Sequence, residues 1–229
     1  MPSNSTSSIQ AILFDLDNTL IDRNGAFGQY LEQWLPSFAP LVSSDQYPTE
    51  IAGIMHRDNW GYTERTQFCL WLKERYGINL PVADILTNLL ENIPRLLTIH
   101  SPVQELLLQL KTDFTIGLIS NGSGKTQRAK MKQTGLTAFF EEQYLYIEGE
   151  IGYAKPHPEI FRRAINHLVL QPEHVLFVGD DPINDMMGAA CVGMKTCWVA
   201  QGRAFPEGVI LPDFTIDHII QLKSLFAYV

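Results

Sequence analysis

The chain has 229 residues, 45% of them apolar, and a formal net charge of −8. That length suits one α/β domain or a core with a smaller insertion, and the apolar share excludes a disordered segment. The acidic balance excludes a protein that grips a nucleic-acid backbone, which needs a basic face, so an anionic ligand would have to meet a local cation and a metal.

Met1 to Ser8 is polar and lacks an apolar stretch, which reads as a frayed start rather than a signal peptide. No run of eighteen apolar residues follows, so no membrane span is expected. Ala11 to Leu16 is the first buried strand, ending at Asp15. Residues 23 to 97 then break into amphipathic helices: Ala26 to Leu35, Thr49 to His56, Thr63 to Tyr76 with Gly77 as its stop, and Val82 to Asn92. Phe68, Leu72 and Tyr76 recur at helical spacing, a stripe that reads as packing. This segment is expected to be a helical cap, residues 23–97, inserted into a core made of 1–22 and 98–229.

Beyond it the apolar runs resume. Phe114 to Ser120 is a second strand, Gln143 to Ile147 a weaker third, His174 to Gly179 a fourth, Lys195 to Ala200 a fifth, and Asp213 to Ile216 a short sixth. Helical patterns separate the second to fifth, which predicts a parallel sheet covered on both faces. Gly135 closes a helix over Lys125 to Thr134, Pro158 opens one running to His167, and Asp181 followed by Pro182 caps another that Gly193 ends. The expected fold is α/β: a Rossmann-like parallel sheet core in three α/β/α layers with an inserted α-helical cap. Cys69, Cys191 and Cys197 are odd in number and show no C-x-x-C spacing, so they read as buried reduced thiols. A cytoplasmic enzyme is expected, and the Asn-x-Ser/Thr triplets at Asn4 and Asn121 are then chance matches.

Four patches carry the chemistry: Asp15-Leu16-Asp17-Asn18-Thr19, Ser120-Asn121-Gly122, Lys155-Pro156, and Gly179 to Asp185. Three of them close predicted strands, and in open parallel sheets ligands bind beyond the carboxyl ends of the strands. Asp15 is a carboxylate able to attack phosphorus. Asp17 can protonate a leaving alkoxide and later deprotonate a water. Mg²⁺ prefers oxygen ligands, and Asp15, the backbone carbonyl of Asp17 and Asp180 offer three, with Asp185 close by to hold a coordinated water or Lys155. Asp181 reads as an N-cap or a metal contact. Ser120 and the amides of Asn121 and Gly122 can hold phosphoryl oxygens at a helix start, or simply cap it. Lys155 can neutralise charge on Asp15 and on a transferring phosphate. Two neighbours are set aside. Gly124-Lys125-Thr126 lacks the earlier glycine of a nucleotide-binding loop, since that position is Ile119. His157 reads as a helix-start or surface residue rather than a catalytic one.

Together the patches resemble the haloacid dehalogenase-like superfamily, across roughly residues 9 to 22 and 98 to 220. All four of that family's motifs stand in order. The resemblance implies Asp15 as nucleophile, Asp17 as acid/base, Ser120 as phosphate-binding hydroxyl, Lys155 as the motif-three lysine, and Asp180 with Asp185 as the acidic motif. It implies a helical type-one cap, since the short stretch from Ser120 to Lys155 has no room for a large second-type cap. It further implies a Mg²⁺-dependent phosphatase of a small metabolite of nucleotide, flavin-mononucleotide, phosphoglycolate or sugar-phosphate type. The partner would be a small phosphate ester, with no nucleic-acid polymer and no membrane, and no feature specifies an oligomeric state. Arg57 and Trp60, within His56 to Tyr62, are the cap residues expected to touch the leaving group; helix-end packing is their alternative role.

Three other readings compete. A haloacid dehalogenase needs neither metal nor a second carboxylate at the Asp17 position. A phosphomutase would return the phosphoryl group to a sugar phosphate. A non-catalytic binding module usually lacks one of the carboxylates, and none is missing here.

Overall fold

The computed structural model describes residues 9–226; the expected frayed start and the Asn4 triplet lie outside them. The chain divides into two compact units, one of residues up to Ile21 with those from Ile99 onward, the other of Asp22–Thr98.

In the first unit six parallel strands form one sheet: β1 (Ala11–Phe14), β2 (Thr115–Ser120), β3 (Leu145–Ile147), β4 (Val175–Gly179), β5 (Lys195–Val199) and β6 (Phe214–Ile216). Their order is β3-β2-β1-β4-β5-β6. Leu13 stands opposite Gly117 on one side and Phe177 on the other, so β1 is central. Every side chain of β1 and β4 is buried, as a parallel sheet flanked on both faces requires. That is why these strands read as unbroken apolar runs rather than alternations. One face carries Ala11, Leu13, Val175 and Phe177 against Ile160, Phe161, Ala164 and Ile165 of α7 (Pro158–Leu168). Those four positions recur as one helical stripe, and Phe161 meets Phe177 edge-on at 5.3 Å between ring centroids. Pro158 is the first residue of α7, where its missing N–H costs nothing.

α5 (Ser101–Asp113), just before β2, is not among the expected helices, although Val103, Leu106, Leu107 and Leu110 form a regular buried stripe along it. The helix after β4 also differs from expectation. Pro182–Met187 is π-helical, because the carbonyl of Asp181 accepts from both Asp185 and Met186, each at 3.1 Å. It then tightens into Gly188–Ala190 and a turn that ends at Gly193, φ 89°.

The second unit is helical: α1 (Arg23–Phe38), α2 (Tyr47–Asp58), α3 (Arg65–Tyr76) and α4 (Val82–Asn92). α1 starts three residues before the expected Ala26, because Asp22 caps it by accepting from the amide of Gly25 at 2.7 Å. Phe68 and Leu72 are buried as expected, while Tyr76 is half-buried and its hydroxyl donates to Glu50 at 2.6 Å. Asp58 is buried between two arginines: it accepts from Arg23 and, at 2.7 Å, from Arg65. Asp58 lies within His56 to Tyr62, the stretch expected to touch the leaving group, yet it is held by this pair of arginines, neither of which stood out in the sequence. Among the described residues no helix is long and apolar enough to cross a membrane. Cys69 and Cys197 are buried free thiols, but Cys191 is exposed, contrary to expectation, because the turn between Ala190 and Gly193 turns it out to solvent.

Candidate active site

β1 ends at Phe14 and the next residue is Asp15; β2 ends on Ser120; β4 ends on Gly179 and Asp180 follows. Since β1 lies between β2 and β4, these three residues emerge side by side at the carboxyl edge of the sheet. After Asp15 the chain turns at once. The amides of Leu20 and Ile21 return to the carbonyl of Leu16, and Asn18 adopts φ 59°, a left-handed conformation that asparagine tolerates. Asp15 and Asp17 therefore do not continue one strand face.

Lys155 is 4% exposed and its ammonium bridges two carboxylates, donating to Asp15 at 2.6 Å and to Asp185 at 2.7 Å. The Asn121 side chain clamps the backbone of Lys155 from both sides, accepting from its amide at 2.7 Å and donating to its carbonyl at 2.9 Å. Asn121 thereby ties the end of β2 to the lysine. The π-helical turn delivers Asp185, whose second oxygen accepts from the amide of Asp181 at 3.0 Å. Gly179 makes this possible, since a Cβ there would fall 2.2 Å from Asp185 Oδ2. Asp181 itself accepts from the amides of Ile183 and Asn184, so of its two expected roles the structure shows the N-cap. His157 likewise caps a helix, accepting from the amide of Glu159 at 3.2 Å.

Carboxylate oxygens of Asp15, Asp180 and Asp185 lie within 4.8 Å of one another, all buried. Asp180 Oδ1 is buried with no hydrogen-bond partner, a costly arrangement unless a cation is there to be held. Burial pushes Asp15 up to about 7 against the pull of Lys155, with Asp185 and Asp17 adding to the rise. Burial also raises Asp180 well above the usual carboxylate range, with the charges of Asp15 and Asp185 adding to it, and it raises Asp185 despite Lys155. For Lys155 burial works against the charged form, but Asp15 and Asp185 outweigh it and hold its pKa above normal. Lys155 and the Arg203 guanidinium, 3.2 Å from Asp180 Oδ2, supply two positive charges against three buried carboxylates, which leaves negative charge in excess. The all-oxygen donor set fits a hard divalent cation.

Ser120 Oγ accepts from Gln127 Nε2 at 2.6 Å, and the same amide group donates to Asp17 Oδ2 at 3.1 Å. Asp17 Oδ2 also receives Lys130 Nζ at 2.5 Å. Gln127 and Lys130 stand on α6 (Gly124–Thr134), which Ser123 caps. Neither was singled out by sequence. The Gly122 amide, expected to face phosphate, instead donates to Glu148 at 2.7 Å. Arg57 is exposed, with its guanidinium 6.0 Å from the centre of the Trp71 ring, and Trp60 is half-buried at φ 57°.

The family model for haloacid dehalogenase-like hydrolases matches residues 12–199, most of the chain and all four patches. The chain belongs to this family. This hydrolase is 36% identical over 123 residues to pyrimidine 5'-nucleotidase YjjG of Escherichia coli (strain K12), a match spanning 52% of this chain and 53% of that protein. It is 28% identical over 226 residues to pyrophosphatase PpaX of Bacillus cereus (strain Q1), covering 96% of this chain and 97% of that one. Its fold superposes on the HAD-hydrolase YfnB from Bacillus subtilis with TM-score 0.76 at 22% identity, over 96% of this chain and 99% of the other.

The hydrolase braces its acidic site from β5 and the loop after it. Arg203 donates to the carbonyl of Asp180 at 2.9 Å and to its Oδ2 at 3.2 Å, and Trp198 Nε1 donates to the same carbonyl at 2.9 Å. Gln201 donates to the carbonyl of Asn18, in the loop that carries Asp17. Nothing in the local sequence marks Gln201 or Arg203 for the site, because Asn18 and Asp180, which they reach there, lie in other strands' loops.

Proposed function

We propose that this hydrolase cleaves a small soluble phosphate monoester through an aspartyl-phosphate on Asp15. The observation that carries the reading is the buried Asp15–Lys155–Asp185 chain beside the unpartnered oxygen of Asp180, with a second carboxylate, Asp17, held by its own cation. Asp15 attacks phosphorus and the ester P–O bond breaks. Asp17 gives its proton to the departing alkoxide oxygen. Asp17 then takes a proton from water as that water attacks phosphorus, and the P–O bond to Asp15 breaks to release inorganic phosphate. Ser120 and Lys155 hold the phosphoryl oxygens. Asn121 positions Lys155 through its side chain, and the Gly122 amide joins the phosphate contacts only when Glu148 lets it go. Asp15, Asp180 and the backbone carbonyl of Asp17 would hold Mg²⁺, with Asp185 behind them, and the ion would offset the charge of the phosphoryl oxygens. The relatives' names, a nucleotidase and a pyrophosphatase, support phosphate compounds as the substrate class. The buried free thiols of Cys69 and Cys197 suit the reducing cytoplasm.

The test is phosphate release across a broad panel of phosphate monoesters with Mg²⁺, Mn²⁺ or Co²⁺, with a haloacid as control. No turnover on any ester overturns the reading. Halide release would indicate a dehalogenase, and sugar-phosphate isomerisation without phosphate release a mutase.

Asp17→Asn is expected to lose about 10²–10⁴-fold in kcat while keeping most of its Mg²⁺ affinity, because its proposed metal contact is the backbone carbonyl. Metal titration by calorimetry beside steady-state kinetics checks both halves. A variant that binds Mg²⁺ poorly yet reaches the wild-type rate at saturating metal would reverse the assignment.

We further propose that residues 23–97 act as a cap that selects the leaving group, with Arg57 and Trp60 as its contacts. Arg57→Ala and Trp60→Ala should reorder the panel of good substrates while sparing p-nitrophenyl phosphate. A uniform loss across all substrates would assign both residues to packing.

A further inference from the structure

α6 carries a second polar network that the reaction outlined above does not use. Gln127 is 1% exposed, and a buried side-chain amide is costly unless its donors are placed. Both of its placed contacts are chemically significant: Ser120 Oγ at 2.6 Å and Asp17 Oδ2 at 3.1 Å. One helical turn on, Lys130 gives its ammonium to the same Asp17 oxygen at 2.5 Å. Its side chain is 12% exposed, so this is a largely sheltered ion pair rather than a solvated one. Residues three apart on a helix share a face, so Gln127 and Lys130 reach Asp17 together. Gly122, just beyond β2, sits at φ 117°, and a Cβ there would stand in ordinary contact with the Gln127 side chain at 3.4 Å. Two donors arriving at one oxygen define the rotation of the Asp17 carboxylate, and the shared amide links that rotation to the position of the Ser120 hydroxyl.

We propose that Lys130, assisted by Gln127, is a positioning residue that aims the Asp17 carboxyl group, carrying its proton at the leaving-group oxygen in the first step and ionised at the attacking water in the second. The inference rests on Asp17 being the acid/base proposed above. A positioning role predicts a particular kinetic pattern. p-Nitrophenolate leaves without a proton, so phosphorylation of Asp15 by p-nitrophenyl phosphate does not need a well-aimed Asp17. Hydrolysis of the aspartyl-phosphate does need it, because the water must lose a proton. An alkyl phosphate needs it in both steps.

The experiment compares Lys130→Ala, Lys130→Arg, Asp17→Asn and the Asp17→Asn/Lys130→Ala double variant, on p-nitrophenyl phosphate and on the best alkyl phosphate of the panel. Lys130→Ala is expected to release one equivalent of p-nitrophenolate in a rapid burst and then turn over about 10²-fold more slowly than wild type. On the alkyl phosphate it should show no burst, a comparable drop in kcat and little change in KM. Lys130→Arg should recover most of the rate. Lys130→Ala should cost nothing further once Asp17 is already Asn, since positioning matters only while there is a carboxylate to position. If Lys130→Ala does not fold, Lys130→Met, which keeps the aliphatic stem, carries the same comparison. Wild-type kinetics in the folded Lys130 variant would overturn the inference while leaving the acid/base role of Asp17 intact. An equal loss in the presence and absence of the Asp17 carboxylate would overturn it too, since Lys130 would then act elsewhere. Full activity in Asp17→Asn alone would instead bring down the acid/base assignment itself.

Discussion

Asp15→Asn is expected to abolish phosphate release while the fold stays intact, the largest effect on activity that any single substitution in this chain should produce. A carboxamide oxygen is a poor nucleophile toward phosphorus, and no other carboxylate at the end of β1 takes its place. Loss of a covalent nucleophile in other enzymes costs on the order of 10⁶ in kcat. The substitution keeps size and shape, and the amide oxygen can still accept from Lys155 Nζ, now 2.6 Å from Asp15. It also removes one buried negative charge from a site with too many. The variant should therefore melt at least as high as wild type in metal-free buffer. Trapping gives the direct check: denatured wild-type protein quenched during turnover should carry acid-stable, hydroxylamine-sensitive phosphate, and Asp15→Asn should carry none. Turnover within tenfold of wild type would remove Asp15 from the nucleophile's role.

Lys155→Met is expected to have the largest effect on stability. Lys155 is the cation between Asp15 and Asp185, and both contacts are sheltered from water. Removing one partner of a buried ion pair typically costs about 3–5 kcal/mol, because the charges left behind stay buried. The pH dependence has a definite sign. Burial has already raised Asp15 to about 7, and it raises Asp185 as well; without the lysine both move further up. A carboxyl whose folded pKa exceeds its unfolded one binds protons better in the folded state, so stability is retained at low pH and lost as pH rises through the folded value. The metal-free variant should thus lie close to wild type near pH 5 and fall well below it above pH 7, as read by urea denaturation at each pH. Saturating Mg²⁺ should return part of the deficit through the same carboxylates. A uniform deficit at all pH values would assign Lys155 a packing role instead.

Asp15 and Lys130 depend on structural information of different kinds. Asp15, Ser120 and Asp180 were legible because each closes an apolar run, and a parallel strand buried on both faces must be such a run whatever surrounds it. The turn of Asp181 and Pro182 was legible for a similar reason, since capping and the fixed φ of proline act within four residues. Lys130 was not legible. It pairs with Asp17 across 113 positions. α6 also carries Lys125 and Lys132, which are of the same chemical type. What selects Lys130 is the rotation of α6 about its axis, set by burying Gln127, Met131 and Thr134. Lys130 falls on that stripe, but two of the three residues that mark it are polar, so hydrophobic periodicity could not reveal it.

The same distinction runs through the whole molecule. By itself the sequence determined the α/β class, the parallel strands, the helical insertion after β1 and the four acidic, hydroxyl and cationic patches, because burial periodicity, caps and motif spacing are short-range properties of a chain. Only the tertiary structure decided that β1 lies between β2 and β4, that the Asn121 side chain clamps Lys155, that Glu148 takes the Gly122 amide, and that the π-helical turn brings Asp185 to the lysine. Those are matters of strand order, helix rotation and which donor reaches an oxygen first. They depend on the closeness of residues far apart in the chain, where local propensity has no hold.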